Sequence, residues 1–300
     1  MNSFRSETTG KWILAGEHSV LRGSPALVFP LESRVLSLDF LPASADGQLH
    51  LELAGQHGEE LQILFWGVLE KACELKKVPR SIFGGQVKLT SQIPVGAGLG
   101  ASAALCVAMS RWFAHLSVIS SDEVAEFSRT LENLFHGESS GVDIAVAISG
   151  KPLRFVRGQA PQVLPARKWT PGLYVSYSGQ RGMTVECVNR VKKLIAEDAA
   201  KGQMLDAQMA EAVQMCENAL QLPRAEGEVL LEKAFTLAAN AFTAWGLTGG
   251  VVQSHMNWLR GQGAAAVKPT GSGNGGYILS FWAVPPRLEL RDKLIPCFQI

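Results

Sequence analysis

Pro94-Val95-Gly96-Ala97-Gly98-Leu99-Gly100-Ala101-Ser102-Ala103-Ala104 follows a strand-like run, Gln86-Val87-Lys88-Leu89-Thr90, and opens an apolar helical run that ends near Leu116. Three alternating glycines, Gly96, Gly98 and Gly100, free the backbone for positive φ and let it approach a ligand closely. The helix behind them presents unpaired N–H groups and the positive end of its dipole, a pairing that favours an anion. Ser102 and Ser91 stand ready to add hydroxyls. A phosphate cradle fits this stretch, and so does an ordinary glycine-rich turn from strand to helix; the segment alone does not choose between them.

The common phosphate loops are excluded. A Walker A loop needs Gly-Lys-Ser/Thr at the helix start, and no lysine lies between Lys88 and the end of this helix. A Rossmann fingerprint reads G-x-G-x-x-G, whereas this loop reads G-x-G-x-G. Gly271-Ser272-Gly273-Asn274-Gly275-Gly276 does match G-x-G-x-x-G, but an apolar strand follows it where a helix is required. Such a loop between strands is a hairpin or a close approach of backbone to ligand.

Working outward, 300 residues suit one large or two modest domains with ample chain for a core. A 47% apolar and 18% charged composition is that of a soluble globular protein. The net charge of +1 argues against a nucleic-acid partner or an anionic membrane held by bulk electrostatics. No apolar run reaches transmembrane length, and the N-terminus, with Glu7 and Lys11 close behind Arg5, lacks a signal-peptide layout. Five scattered cysteines (73, 106, 187, 216 and 297) form no C-x-x-C pair, so disulfide and zinc readings are both poor and the cytoplasm is the expected compartment.

In chain order, a strand ending in the polar turn Gly16-Glu17-His18-Ser19 comes first, then β-type runs at 26–29, 35–40 and 49–53 broken by Pro42, Asp46 and Gly47. Apolar residues from Ile63 to Leu75 recur at helical spacing across 59–77. Ser121 and Asp122 read as the N-cap of a helix to about Phe135, and a short apolar helix runs through Ile148. Strands at 153–156 and 173–176 bracket a Pro- and Lys/Arg-containing link. Beyond it helical patterns dominate (184–200, 204–222, 228–245, 251–260), then a strand at 264–268, the second glycine loop, a strand at 277–282 and a last short helix. The expected division is an N-terminal domain over 1–168 and a C-terminal domain over 169–300.

Three segments together resemble the GHMP kinases, the superfamily of galactokinase, homoserine kinase, mevalonate kinase and phosphomevalonate kinase. They are Gly10-Lys11 through Gly16-Glu17-His18-Ser19-Val20, Pro94–Ala104, and Lys268-Pro269-Thr270-Gly271-Ser272-Gly273, in the superfamily's order and at its usual distances. Within it the mevalonate kinase branch is most similar. Its G-E-H-A-V resembles Gly16–Val20, and its H-G-x-x-S-G-x-D resembles His136-Gly137-x-x-Ser140-Gly141-Val142-Asp143. Galactokinases tend to carry Asp where this chain has Val20.

The resemblance implies an α+β, two-domain GHMP kinase fold: an N-terminal ribosomal-protein-S5-like domain, a helix-rich ferredoxin-like C-terminal domain, and an active site in the cleft between them. It implies ATP- and Mg²⁺-dependent phosphorylation of mevalonate to 5-phosphomevalonate for isoprenoid synthesis. The ATP phosphates would lie on Pro94, Gly96, Ala97, Gly98, Leu99, Gly100, Ala101, Ser102 and Ala103. Ser102 and Glu132 would hold Mg²⁺. Asp143 would take the proton of the attacking hydroxyl, with Lys11 paired to it. Glu17, His18, Ser140, Thr270, Gly271 and Ser272 would face the substrate, His18 at its carboxylate end with a charge that changes near physiological pH. A homodimer is left open.

Taken singly, each residue has a plainer reading: Glu132 a solvated helix-end charge, Asp143 a helix cap, Lys11 a strand-edge residue. His136 reads as structural, and His115 and His255 as surface or packing residues. Two positions depart from the family. Ala101 stands where a hydroxyl residue is usual, at what should be an exposed helix start that tolerates serine. Asn274 stands where mevalonate kinases commonly have glycine. Rival readings are a kinase for phosphomevalonate, homoserine or a sugar, a diphosphomevalonate decarboxylase-like enzyme, and a catalytically silent binding protein.

Overall fold

The computed structural model describes residues 2–43, 48–55, 58–136 and 139–298, with the side chains of 134–136 excepted. The turn expected at Asp46 and Gly47 and the side chain of His136 lie outside the described residues. Backbone contacts divide the chain into two compact units, each discontinuous in sequence. The first comprises Met1–Lys11, Pro30–Val95 and Gly100–Gly150; the second comprises Trp12–Phe29, Gly96–Leu99 and Lys151–Ile300. Both mix strands and helices, as an α+β chain should.

The chain begins with β1 (Phe4–Ala15) and β2 (Ala26–Pro42), separated by a short 3-10 turn at Ser19–Arg22. Strand β2 is one 17-residue strand, not the two short ones the sequence pattern suggests. Its ladder with β5 (Leu153–Phe155) ends at Val28, its ladder with β4 (Gly85–Ser91) begins at Leu36, and Pro30 falls between them. In the first unit β4 also pairs in parallel with β3 (Leu49–Gly55), Leu53 opposite Leu89. The crossover between them is α1 (Gly58–Lys76), the helix whose apolar spacing is plain in the sequence.

Strand β4 alternates: Val87 and Leu89 are buried, Gln86 and Lys88 exposed. Its inward face lies over a core with Phe40, Phe83, Trp112 and Phe113, where the Trp112 ring centroid is 5.0 Å from that of Phe40 and 5.1 Å from that of Phe83. Helix α2 (Ala101–His115) runs through this core, buried from Ala103 to Ser110, and packs against α1, α3 (Val124–His136) and α4 (Val142–Ser149). Its alanines keep the neighbouring helices close. Helix α3 is entered through a capping box on Ser120 and Glu123, not on Ser121 or Asp122: the Ser120 N–H donates to Glu123 Oε2 at 2.8 Å, and the intervening 3-10 turn takes up Ser121 and Asp122.

The second unit holds β5 against the start of β2, with β6 (Gln162–Val163) on its other edge. It also holds an antiparallel sheet in the order β10-β7-β9-β8, made of β7 (Gly172–Tyr177), β8 (Ala266–Thr270), β9 (Tyr277–Trp282) and β10 (Ile295–Pro296). Four helices accompany it: α5 (Thr184–Glu197), α6 (Ala199–Gln221), α7 (Arg224–Ala244) and α8 (Val251–Gly261). Helices α6 and α7 form a hairpin through Pro223, and α7 and α8 both contact β8. The break between α5 and α6 falls at Asp198, earlier than the sequence pattern places it, because the Asp198 carboxylate accepts the Lys201 N–H at 2.9 Å and caps α6. Gly202 sits inside α6, where a Cβ would come within 2.8 Å of Ile195 of α5. Strand β9 directly follows the second glycine loop, which disposes of a Rossmann reading there.

Candidate active site

In the first unit, the end of β1 and the starts of two helices bring charged residues together. Lys11 is 5% exposed, and its Nζ stands 3.1 Å from Oδ1 of Asp143, in the first turn of α4. Its aliphatic stem lies over Gly100, the N-cap of α2, where a Cβ would meet Lys11 Cγ at 2.8 Å and φ is +79°. Glycine is required there by the lysine as much as by the turn. The N-cap, Gly100, has no side chain to offer the first N–H groups of α2, whose dipole is positive at this end.

Glu132, in α3, is buried, and its Oε2 accepts a hydrogen bond from Ser139 Oγ, which itself accepts the Gly141 N–H at 3.1 Å. Burial, and next the charge of Asp143, push the Glu132 carboxyl up to about 8; the Ser139 bond and Lys11 pull the other way. It is therefore not a solvated helix-end charge. Lys11 pairs with Asp143, and a further cation beside Glu132 would favour its ionised form. Among the described residues no three His, Cys, Asp or Glu side chains gather into a metal cage. Mg²⁺ is commonly bound by one or two carboxylates, and the neighbouring Glu132 and Asp143 carboxyls offer hard oxygens of that kind.

Ser140 Oγ accepts the Val142 N–H at 3.3 Å and caps α4 locally. Ser91 Oγ is likewise occupied, accepting the Ile93 N–H at 3.1 Å, so it adds no hydroxyl to the loop. Ala101 is 4% exposed: the helix start is buried, and a serine there would need a partner for its hydroxyl. Ala103 is buried too, while Pro94 and Ser102 are half-buried.

In the second unit, residues 96–99 lie beside the 271–276 loop. Gly96 and Gly98 are exposed with φ of +70° and +89°. A methyl group on Gly96 would first meet Arg181, at 3.8 Å, and one on Gly98 would first meet the Thr270 carbonyl, at 4.0 Å. That backbone is open, as a phosphate cradle must be. Ala97 and Leu99 alternate inward and are buried, and a Cβ on Gly271 would lie 3.6 Å from the Gly98 carbonyl. Asn274 has φ of +53°, which asparagine tolerates better than most residues with a Cβ, in keeping with its standing in place of glycine.

Glu17, His18 and Thr270 are engaged by the protein itself. Thr270 Oγ1 accepts the Ile13 N–H at 2.9 Å and donates to the Ile13 carbonyl at 3.1 Å. Glu17 Oε1 takes Lys268 Nζ at 2.5 Å in a pair closed to solvent. His18, at φ of +60°, is 5% exposed, packs edge-on against Phe242 and contacts Trp245. Its Nε2 lies 2.8 Å from the Ser272 carbonyl, which places the proton on Nε2 and leaves Nδ1 an acceptor with no partner among the described residues. Burial lowers the imidazole to about 4, so its charge does not change near physiological pH as the sequence suggests. Ser272 Oγ lies 3.5 Å from Thr184 Oγ1. His115 contacts Phe4 at the surface, and His255 packs on Trp258 while bonding Ser176.

Three residues of these sites escape sequence reasoning. Lys268 heads the third segment of the resemblance, but its spacing assigns it no role. Ser139 is hidden by its neighbour Ser140 in the motif. Arg181 follows the Ser178-Gly179 turn with no local pattern to mark it.

The model of the GHMP kinases N terminal domain matches residues 64–151. A mevalonate kinase of Thermococcus sibiricus is 30% identical over 295 residues, covering 89% of this chain and 85% of the relative. That of Thermococcus onnurineus is 28% identical with the same coverage. The crystal structure of L. major mevalonate kinase in complex with R-mevalonate superposes with a TM-score of 0.76 at 22% identity, over 97% of this chain and 89% of that one.

Proposed function

The chain belongs to the GHMP kinases, and from that membership we propose that it transfers the γ-phosphoryl group of ATP to the primary hydroxyl of mevalonate. The observation that carries the chemistry is the Lys11–Asp143 pair beside buried Glu132. Phosphoryl transfer asks little covalent work of the protein. It asks for a group to accept the hydroxyl proton, positive charge at the transferred oxygens, and exclusion of water.

Asp143 accepts the proton of the attacking hydroxyl, held in place by Lys11. The Lys11 ammonium also faces the charge that grows on the transferred group. The stretch from Pro94 to Ala103 receives the nucleotide phosphates on glycine N–H groups and the uncapped start of α2. Glu132 and Ser102 would hold Mg²⁺, which when bound neutralises charge on the phosphate oxygens. His18, a neutral acceptor at Nδ1, suits a hydroxyl of the acceptor molecule better than its carboxylate, because a carboxylate offers no proton to share. The choice of mevalonate rests on the relatives' names and on the Gly16–Val20 and 136–143 runs. Among the described residues no helix is long and apolar enough to cross a membrane.

The test is ADP release across mevalonate, phosphomevalonate, homoserine and galactose under one set of conditions. Release that depends on mevalonate supports the reading. Release with another acceptor and not with mevalonate moves the substrate while leaving the kinase.

A further inference from the structure

Lys268 lies in the middle of β8 with its side chain wholly buried. Its ammonium donates to Glu17 Oε1 at 2.5 Å, to the Pro269 carbonyl at 2.7 Å and to the Ile13 carbonyl at 3.4 Å, and sits 5.7 Å from the Phe242 ring centroid. One side chain thus ties together the end of β1, the turn after it and the entrance to the second glycine loop. As a stability device this is a poor choice, since well-packed apolar residues generally replace a buried ion pair at no loss.

What the pair does hold is the turn. His18, next to Glu17, has φ of +60° and ψ of −49°, a backbone state that a residue with a Cβ enters only under constraint. Among the contacts that reach it from outside the turn are Lys268 on Glu17 and the Ser272 carbonyl on His18 Nε2, with Phe242 and Trp245 against the His18 ring. Lys268 and Ser272 sit on the same β8-to-loop segment, four residues apart. Loss of Lys268 removes one of the ties that reach this turn from the β8-to-loop segment.

We propose that Lys268 is a positioning residue for the acceptor substrate, acting through Glu17 to hold the 16–19 turn and so the ring of His18. The inference rests on His18 facing the acceptor, as in the proposed function. It assigns Glu17 a place behind the site and Lys268 a role that its position in a strand conceals.

The experiment compares Lys268→Met, Glu17→Gln and the double variant with the wild type, using whichever acceptor the wild type phosphorylates. Inert mevalonate would therefore refute the substrate reading without deciding this one. Each variant is expected to raise KM for the acceptor about tenfold or more while KM for ATP stays within about twofold. The double variant leaves no lone buried charge, so it decides the matter if a single variant does not fold. Unchanged KM for the acceptor in the folded double variant, an equal rise in both KM values, or failure of all three to fold would each overturn the proposal and leave the pair a stabilising contact only.

Discussion

Gly100→Ala separates the two reasons a glycine can be needed at the start of α2. The backbone there has φ of +79°, and a left-handed residue with a Cβ costs about 1–2 kcal/mol. Gly23, at φ of +89°, carries the same backbone cost with nothing within 4 Å of its added methyl. Gly23→Ala is therefore the matched control, and each variant should lose a few degrees of Tm, ~2–4 °C per kcal/mol. Only at Gly100 does the methyl collide, 2.8 Å from Lys11 Cγ, against 3.4 Å for ordinary contact, so the lysine stem must move by at least 0.6 Å (3.4 − 2.8). A 1 Å misplacement of a catalytic group costs on the order of 10², so kcat should fall roughly tenfold in Gly100→Ala and stay near wild type in Gly23→Ala. Steady-state kinetics beside thermal melts read both effects. Equal kcat in the two variants, at similar Tm, would refute the claim that the Lys11–Asp143 geometry matters to the reaction.

Asp143→Asn keeps the shape and removes the proposed proton acceptor; kcat should drop by ~10² or more with KM for ATP nearly unchanged, in a coupled ADP assay. Glu132→Gln should raise the Mg²⁺ concentration for half-maximal rate, and an unchanged Mg²⁺ titration would return Glu132 to a purely structural part. For His18 the folded value of about 4 lies below the ordinary 6.5, so the unfolded chain binds more protons between those values. Stability should be fully present above pH 6.5 and fall as pH drops toward 4, by about 3 kcal/mol at most. Urea midpoints from pH 4 to 7 should show this slope in the wild type and lose most of it in His18→Asn.

The repeating parts of the fold are legible in the amino-acid sequence. Apolar spacing from Ile63 to Leu75 marks α1, and glycine alternation marks the entry to α2. What escapes is set by distant partners. Lys268 stands in a segment of the resemblance with no role legible for it, because its charge is answered 251 positions earlier, by Glu17. His18 carries no local sign of the burial that keeps it neutral, and Ala101 none of the packing that closes its helix start. The capping role of Ser120 is masked by its neighbours, because Ser120, Ser121 and Asp122 all suit an N-cap and only the reach of Glu123 decides among them.

The central claim is that this chain moves a phosphoryl group onto the primary hydroxyl of mevalonate, with Asp143 receiving the proton. Proton-coupled ³¹P NMR of the enzyme with ATP, Mg²⁺ and R-mevalonate tests it directly. The account predicts a phosphomonoester signal split by an adjacent CH₂, growing in step with ADP and suppressed in Asp143→Asn. ADP formed without that signal, or the signal formed equally by Asp143→Asn, would contradict it.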